Sequence, residues 1–357
     1  MSTLTVTAER LVIHEHPNAD ALELAQVGLY RAVVAKGAYR TGEFAVYIPE
    51  QSVLPAALIE ELGLTGRLAG GLHDRVAAVR LRGEISQGIV CRPAALAGVD
   101  LEAAHHAGED FTARLGITKW VPAVPVHMAG EVEPAADLLP WVDIENIKRY
   151  PAIFEPGEPV VATEKLHGTC CLLTWSPEAV LVSSKGLGEK RLGLVRAGDN
   201  LYWRTVEAHG VPAAAEWLAG KYGAGRVGIF GEVYGAGIQD LAYGANGQSD
   251  RPGYAAFDVS VEVDGHVRWL TPDEFAEAAT LAGLPTVPTV YTGPYDEGVL
   301  FGLASGPETV TGTAANIREG LVVRSATGRG SAVLGGRAIA KFVSDAYVTR
   351  KGGTEYE

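Results

Sequence analysis

The sequence predicts a mixed α+β protein in which a small all-β barrel precedes a larger domain of interleaved strands and helices. Three observations carry this expectation. Up to about residue 110 the apolar pattern falls into short strands at close spacing, separated by glycine turns. From residue 143 onward, similar strands alternate with two longer helical stretches. Between them lies "KWVPAVPVHMAGEVEPAADLLPW", rich in proline and without a period. The expected organisation is a β module over 1–110, a linker over 111–142 and an α+β domain over 143–357.

In the module, "LTVTAERLVIHEH" alternates apolar and polar residues. "LELAQVGLYRAVVAKGAYRTGEFAVYIPE" supplies two strands, a glycine-centred turn and a third strand, and "RVAAVRLRGEISQGIVCRP" adds two more. "PAALIEELGL" is the one helix expected there. The linker offers Trp120, Val124 and Leu138 for packing on a neighbour. In the last segment, strands are expected at "PVVATEKL", "TCCLLTWS", "AVLVSSKG", "RVGIFGEVYG", "YAAFDVSVEV", "HVRWLT", "EGLVVRSA" and "RAIAKFVS". Helices are expected at "NLYWRTVEAHGVPAAAEWLAGKYG" and "TPDEFAEAATLAGL". The second begins with Thr271 and has Glu274 three residues on, the pattern of a capping box.

Composition bounds the function. A chain of 357 residues, 47% apolar and 20% charged, suits two folded domains with a sizeable core and excludes a disordered protein. A net charge of −13 excludes a protein that simply coats nucleic acid, so any such contact must come from local basic patches. Cys170 and Cys171 are adjacent and alternate faces of a strand. With Cys91 they form neither a disulfide framework nor a CxxC metal site. The first residues carry no apolar signal core, and no apolar run approaches the ~18 residues of a membrane span. A cytoplasmic, monomeric protein without a membrane partner is expected.

The segment most suggestive of chemistry is "TEKLHGTC", residues 163–170. An ordinary lysine, with a pKa of ~10.4, is neutral in only about one molecule in 10³ at pH 7. A strand end with apolar flanks would bury Lys165, and burial together with nearby cations would lower that value. Gly168 would let the backbone turn and let a flat or phosphate-bearing ligand come close. Four residues are a weak signal, and an edge-strand lysine with its head in water fits them equally. The order of later stretches adds weight. "VSSKG" holds Lys185, "IFGEVYG" holds Glu232, "YAAFDV" holds Phe257 and Asp258, "REGLVVR" holds Glu319 and "AIAKFVS" holds Lys341. Each alone reads as a turn acid or a strand residue. Together they supply an amine nucleophile, two carboxylates for a divalent metal, an aromatic for a base and lysines for phosphates.

In order and type, these stretches resemble the covalent nucleotidyltransferase superfamily of ATP-dependent ligases and capping enzymes. Its first motif is usually Lys-x-Asp-Gly; His167 in the third position is similar to the RNA ligase branch that seals nicks in duplexes. "VDIENIKRYP" looks like that branch's lead-in and "RKGGTEYE" like its ending. "HPNADALELAQVG" with "VVAKGAYRTGEFAVYIPEQSVLP" resembles the N-terminal OB-fold module of Deinococcus-type RNA ligases, and "HPNAD" is also similar to tRNA-binding OB domains. The chain runs only briefly past Lys341, so no further C-terminal domain is expected.

The resemblance implies an OB-fold barrel joined to an ATP-grasp-like DNA/RNA ligase domain of antiparallel sheets and helices. It implies ATP as substrate, Mg²⁺ or Mn²⁺ as divalent cation, and RNA ends, in a nicked duplex, as partner. Lys165 would accept AMP, with Glu164 beside the adenine and Gly168 in the same nucleotide-binding motif. His167 and Lys185 would lie near the ribose and phosphate. Glu232 and Glu319 would contact ribose or hydrated metal and act in catalysis, Phe257 would stack on adenine, and Lys341 would hold the α-phosphate. The family's last motif often has two lysines one residue apart. Here Ile339 and Val343 flank Lys341 at that spacing, and Arg337 is the candidate for a second cation. Candidate nucleic-acid contacts in the module are Arg31, Lys36, Arg40, Arg80 and Arg82, with Tyr30, Tyr39 and Tyr47 for stacking. Competing readings are a DNA ligase, a GTP-using capping enzyme, and a nucleic-acid-binding module whose transferase domain has lost activity.

Overall fold

Alternating strands and glycine turns build the first of two units in the computed structural model, which describes residues 4–121, 130–141, 143–243, 252–351 and 353. That unit spans Met1–Val121 together with Lys148–Pro151. One antiparallel sheet orders Thr7–Arg10, Phe44–Ile48 and Ile89–Cys91; a second orders Val12–Glu15, Leu22–Val27 and Tyr30–Ala35. Helix Ala56–Glu61 forms where expected. A second helix, Leu101–Ala107, goes beyond the pattern expected; Asp100 caps it by accepting from the amides of Glu102 and Ala103.

Strand alternation decides the fate of the module's aromatic candidates. In Tyr30–Ala35 the residues Tyr30, Ala32 and Val34 point inward. Tyr30 and Tyr47 are therefore core residues, stacked with ring centroids 5.7 Å apart, and the Tyr47 hydroxyl donates to the Gln87 carbonyl. Neither presents a face to a base, which corrects the stacking expectation for both. Tyr39 is half-buried with Arg92 over its ring. Arg31, Lys36, Arg40, Arg80 and Arg82 are all exposed. The "HPNAD" stretch braces its own unit. The His16 ring bonds the Leu81 carbonyl at 3.2 Å and Asn18 donates to the Arg82 carbonyl at 3.0 Å. Both contacts prop the hairpin formed by Val79–Leu81 and Glu84–Ser86.

The stretch expected as a linker contributes to two cores. Phe111, Leu115 and Ile117 are buried in the first unit, where Arg75 also lies 4.0 Å from the Trp120 ring centroid. Ala135 and Leu138 are buried in the second. Val124 lies outside the described residues.

The second unit spans Pro122–Ile147 and Ala152–Glu357. It contains two five-stranded sheets. The first runs in the order Glu145–Asn146, Ile339–Val343, Gly320–Ser325, Pro159–Lys165, Thr289–Pro294, and only its first pairing is parallel. The second is wholly antiparallel: Val180–Ser184, Thr169–Trp175, Arg226–Tyr234, Gly253–Val263, His266–Trp269. Helices Leu201–Ala208, Val211–Tyr222 and Pro272–Ala282 cover one face of the second sheet through Val206, Ala215, Leu218, Phe275 and Ala278.

Two details differ from the pattern expected. The single helix over "NLYWRTVEAHGVPAAAEWLAGKYG" is two, because Gly210 adopts the left-handed region at φ 66° and Pro212 opens the second helix. Strand Thr289–Pro294 and helix Glu297–Ala304 are additional elements. The strand's burial is mixed and it ends on Gly293 and Pro294, so its pattern does not stand out in sequence. No helix among the described residues is long and apolar enough to cross a membrane.

The capping box forms as its sequence implies: Glu274 N donates to Thr271 Oγ1 and Thr271 N donates to Glu274 Oε2 at 2.8 Å. Thr271→Ala should cost about 1 kcal/mol, read as a fall of roughly 2–4 °C in the melting temperature.

Candidate active site

Strand Pro159–Lys165 of the first sheet ends on Lys165, and strand Thr169–Trp175 of the second begins four residues later. Leu166, His167 and Gly168 alone make the crossing. Gly168 is required by packing. A Cβ there would lie 2.2 Å from the Val233 carbonyl oxygen and 3.0 Å from Glu232 Cγ. The close approach expected for a ligand is thus made by the neighbouring strand Arg226–Tyr234, which carries Glu232. In the first sheet Lys165 pairs with Gly320, so Glu319 arrives beside it. Gly320 too must lack a Cβ, which would sit 1.9 Å from the Phe342 carbonyl oxygen.

These two tight passages gather a charged cluster. Lys165 Nζ lies 2.8 Å from Glu319 Oε1, with the lysine side chain 25% exposed and the glutamate 7%. Cys170 donates its thiol hydrogen to Glu232 Oε2 at 3.3 Å. Lys341 is on the next strand of the first sheet, paired opposite Val322. Lys185 opens the short helix Lys185–Glu189 and is held 2.8 Å from Asp143 Oδ1. The structure therefore brings Lys165, Lys185, Lys341, Glu232 and Glu319 together.

The electrostatics correct one expectation. Burial does pull Lys165 toward its neutral form, but the Glu319 and Glu232 carboxylates outweigh it and hold the amine above the ordinary lysine range. Without substrate, Lys165 is an ammonium. The depressed amine is Lys341, lowered to about 8 by burial and then by the Lys165 and Lys185 cations. Burial raises Glu232 to about 7, against the pull of Lys165.

Three other predicted residues take supporting positions. Glu164 precedes Lys165 in the same strand and so faces the other way. Its fully buried carboxylate accepts from Thr309 N at 2.8 Å and Thr309 Oγ1 at 2.5 Å, with Arg318 Nε at 3.5 Å. His167 is buried with both ring nitrogens engaged, 2.7 Å from Asp240 Oδ1 and 2.7 Å from the Tyr347 hydroxyl. Arg337 does not join the cluster. It bonds Asp258 at 2.7 Å and lies 3.9 Å from the Trp269 ring centroid, so it is not the second cation that the alternation of its strand suggested. Phe257 is half-buried, is the extra residue where the register shifts opposite Phe230 and Gly231, and packs against the apolar cluster containing Leu166. Arg324 fixes its backbone by donating to the Phe257 carbonyl at 3.0 Å.

Among the described residues, no three His, Cys, Asp or Glu side chains are arranged to hold a metal ion unaided. The donor set still fits a hard divalent cation that keeps water and substrate oxygens. Glu319 Oε2 is buried without a hydrogen-bond partner among the described residues, and Glu232 lies close enough to act on the same ammonium.

Sequence reasoning missed Asp143, Cys170, Asp240, Tyr347 and Arg350. Asp143 and Arg350 fall in stretches that the motifs single out, the lead-in and the ending, but nothing in their spacing signals a partner. The thiol of Cys170 enters a sequence reading only as a possible bridge or metal ligand.

A model of the RNA ligase family matches residues 158–343. An OB-fold domain model matches residues 5–93. A search of curated proteins gave no match. Among solved structures, the chain is similar to a Naegleria gruberi RNA ligase with PPi. The identity is 21%, over 97% of this chain and 98% of that one, with a TM-score of 0.78. A lysine-to-alanine variant of that ligase with ATP and Mn is similar at 22% identity, covering 96% and 98%, with a TM-score of 0.78. The same holds for a lysine-to-methionine variant with AMP and Mn, at 22% identity, 96% and 98% coverage and a TM-score of 0.78. The matches establish the mixed α+β fold, an N-terminal OB-fold domain followed by a ligase nucleotidyltransferase domain.

Gly168→Ala should force the crossover away from Val233 and destabilise the protein by about 2 kcal/mol, the cost of overpacking at a site bounded by backbone. A denaturant titration of the purified variant checks this through its midpoint.

Proposed function

The chain belongs to the RNA ligase family, and from that premise we propose that it joins a 5′-phosphate end to a 3′-hydroxyl through a covalent lysyl-AMP intermediate made from ATP. The reading is carried by one observation: Lys165 is held 2.8 Å from Glu319 in a cluster that also contains Lys185, Lys341 and Glu232. An amine nucleophile, phosphate-binding cations and paired carboxylates are what adenylate transfer requires.

Lys165 must first lose a proton, and Glu319 Oε1 is the acceptor in contact with it. The amine then attacks the α-phosphorus of ATP. A nitrogen–phosphorus bond forms, and the bond to the pyrophosphate oxygen breaks. Lys341, held toward neutrality by burial and two cations, gains a counter-charge when phosphate arrives and so binds it in the ammonium form. Lys185 is positioned by Asp143 for the same phosphates. Phe257 stacks on the adenine from a backbone pinned by Arg324. Glu232 and Glu319 are the residues that would hold a divalent cation, Mg²⁺ or Mn²⁺, which would supply further neutralisation of phosphate charge. AMP next passes from Lys165 to the 5′-phosphate end, and attack by the 3′-hydroxyl releases it.

The proposed substrate is RNA ends held at a nick in a duplex, as in the nick-sealing RNA ligase branch that the Lys-x-His-Gly motif resembles. Arg31, Lys36, Arg40, Arg80 and Arg82 are exposed on that domain and suit contacts to the nucleic-acid backbone.

Three measurements test this reading. The protein incubated with ATP and Mn²⁺ should carry one adenylate on Lys165 by mass spectrometry, and Lys165→Ala should carry none. An adduct that persists in the variant would remove Lys165 from the mechanism. Phe257→Ala should raise the KM for ATP by roughly tenfold, the lower-to-middle part of the ~1–3 kcal/mol that stacking on a base is worth. Nicked RNA and DNA duplexes offered in parallel then report which strands are joined.

A further inference from the structure

Lys165 is two residues from His167, and His167 is the most heavily tied side chain in the crossover. Its backbone amide donates to the Tyr243 hydroxyl at 2.7 Å, and the Gly168 carbonyl next to it accepts from Gln239 Nε2 at 2.6 Å. Its ring is buried between Asp240 and Tyr347. Burial holds the ring neutral, against the pull of Glu319 and Asp240. A neutral imidazole donates from one nitrogen and accepts at the other. The hydrogen-bond network assigns the proton to Nε2, which donates to Asp240, so that Nδ1 accepts from the Tyr347 hydroxyl. No ring nitrogen is left to meet a nucleotide.

Asp240 is fixed in turn. Arg350 Nε donates to Asp240 Oδ2 at 2.8 Å, and Arg350 Nη2 donates to Oδ1 at 3.0 Å. The Arg350 guanidinium also lies 3.6 Å from the Tyr347 ring centroid, and its Nη1 donates to the Tyr347 carbonyl. The four side chains therefore close a ring of contacts, with a bidentate, partly buried ion pair at its base. Two of the members come from late in the chain, just past strand Ile339–Val343. Ser344 anchors that segment by accepting from Tyr347 N and donating to the Arg318 carbonyl.

We propose that Asp240, Tyr347 and Arg350 are positioning residues for the nucleophile, locking His167 and with it the three-residue crossover that sets where Lys165 Nζ points. The inference rests on the reading that Lys165 accepts AMP. Its physical basis is the shortness of the crossover. At ~3.5 Å per extended residue, a shift at His167 has almost no slack before it reaches Lys165. A displacement of the order of 1 Å at a reacting atom costs roughly 10²-fold in rate.

The test uses the full chain and single-turnover formation of the Lys165 adduct at saturating ATP. Asp240→Ala and Arg350→Ala should each slow the step by roughly 30- to 100-fold, and Tyr347→Phe, which removes one hydroxyl, by about 5- to 10-fold. The KM for ATP should stay within about threefold, because the polar groups of the lock are directed at one another. Asp240→Asn keeps an oxygen to accept from Nε2 but loses the ion pair to Arg350, so it should be slowed about as much as Arg350→Ala and no more. The double variant D240A/R350A should be no slower than the slower single, since both remove one ion pair. Wild-type rates in Tyr347→Phe and Asp240→Ala, additive losses in the double variant, or a change confined to KM would overturn the lock. If Asp240→Ala does not fold, Tyr347→Phe and Asp240→Asn decide the question. A wild-type protein that forms no adduct at all overturns the parent reading, and this inference with it.

Discussion

Leu166, His167 and Gly168 carry the chain from one five-stranded sheet to the other, and that short reach sets Lys165 among the carboxylates of Glu319 and Glu232. Within each sheet, neighbouring strands pack so closely at this point that no side chain fits at one position. Gly168 lies against the Val233 carbonyl, and Gly320 lies against the Phe342 carbonyl. Because each strand is in register with its neighbour up to these glycines, the residues beside them are delivered to one place. Glu232 comes before Val233, Glu319 comes before Gly320, and Lys165 ends the strand between. The cluster is a consequence of backbone packing. No flexible loop is needed to bring the carboxylates to the amine.

What gathers there is electrostatically balanced at rest and poised for an anion. Three lysines share a partly buried space with two carboxylates, and a third carboxylate, Asp143, reaches Lys185 from just before the strand that pairs with Lys341. The Lys165–Glu319 pair favours the charged amine, whereas the crowding of cations disfavours the charged form of Lys341. A polyphosphate entering the cluster would reverse only the second preference, since its negative charge favours the ammonium form of both lysines, and Lys165 then depends on Glu319 to take its proton.

Much of this is legible in the sequence. Alternation marks the strands of both sheets, and the capping box at Thr271 and Glu274 marks a helix start, because these features are local. Lys165, Lys185, Glu232, Glu319 and Lys341 are recognisable through their order along the chain, and the structure gathers them. The misses have a common cause. Whether an aromatic faces a base or the core depends on which face of its strand is covered, so Tyr30 and Tyr47 look available in sequence and are buried. The purpose of Gly168 depends on a strand distant in sequence, at Val233. The sign of the shift at Lys165 depends on which charges lie nearest, and spacing in sequence suggests cations where the fold supplies carboxylates. Asp240, Tyr347 and Arg350 acquire meaning only when the late segment is folded against His167.

The order of the first sheet has a consequence for how the protein is made. Strand Ile339–Val343 lies between Glu145–Asn146 and Gly320–Ser325, so an element translated near the start of this unit must wait for one translated near its close. During synthesis, which proceeds at about 5–20 residues per second, Lys165 precedes Lys341 by roughly ten to thirty-five seconds. Throughout that interval the nascent chain holds Lys165 without Glu319 and Lys341, its neighbours in the folded unit, and a truncated product of the ribosome would lack the charged cluster altogether.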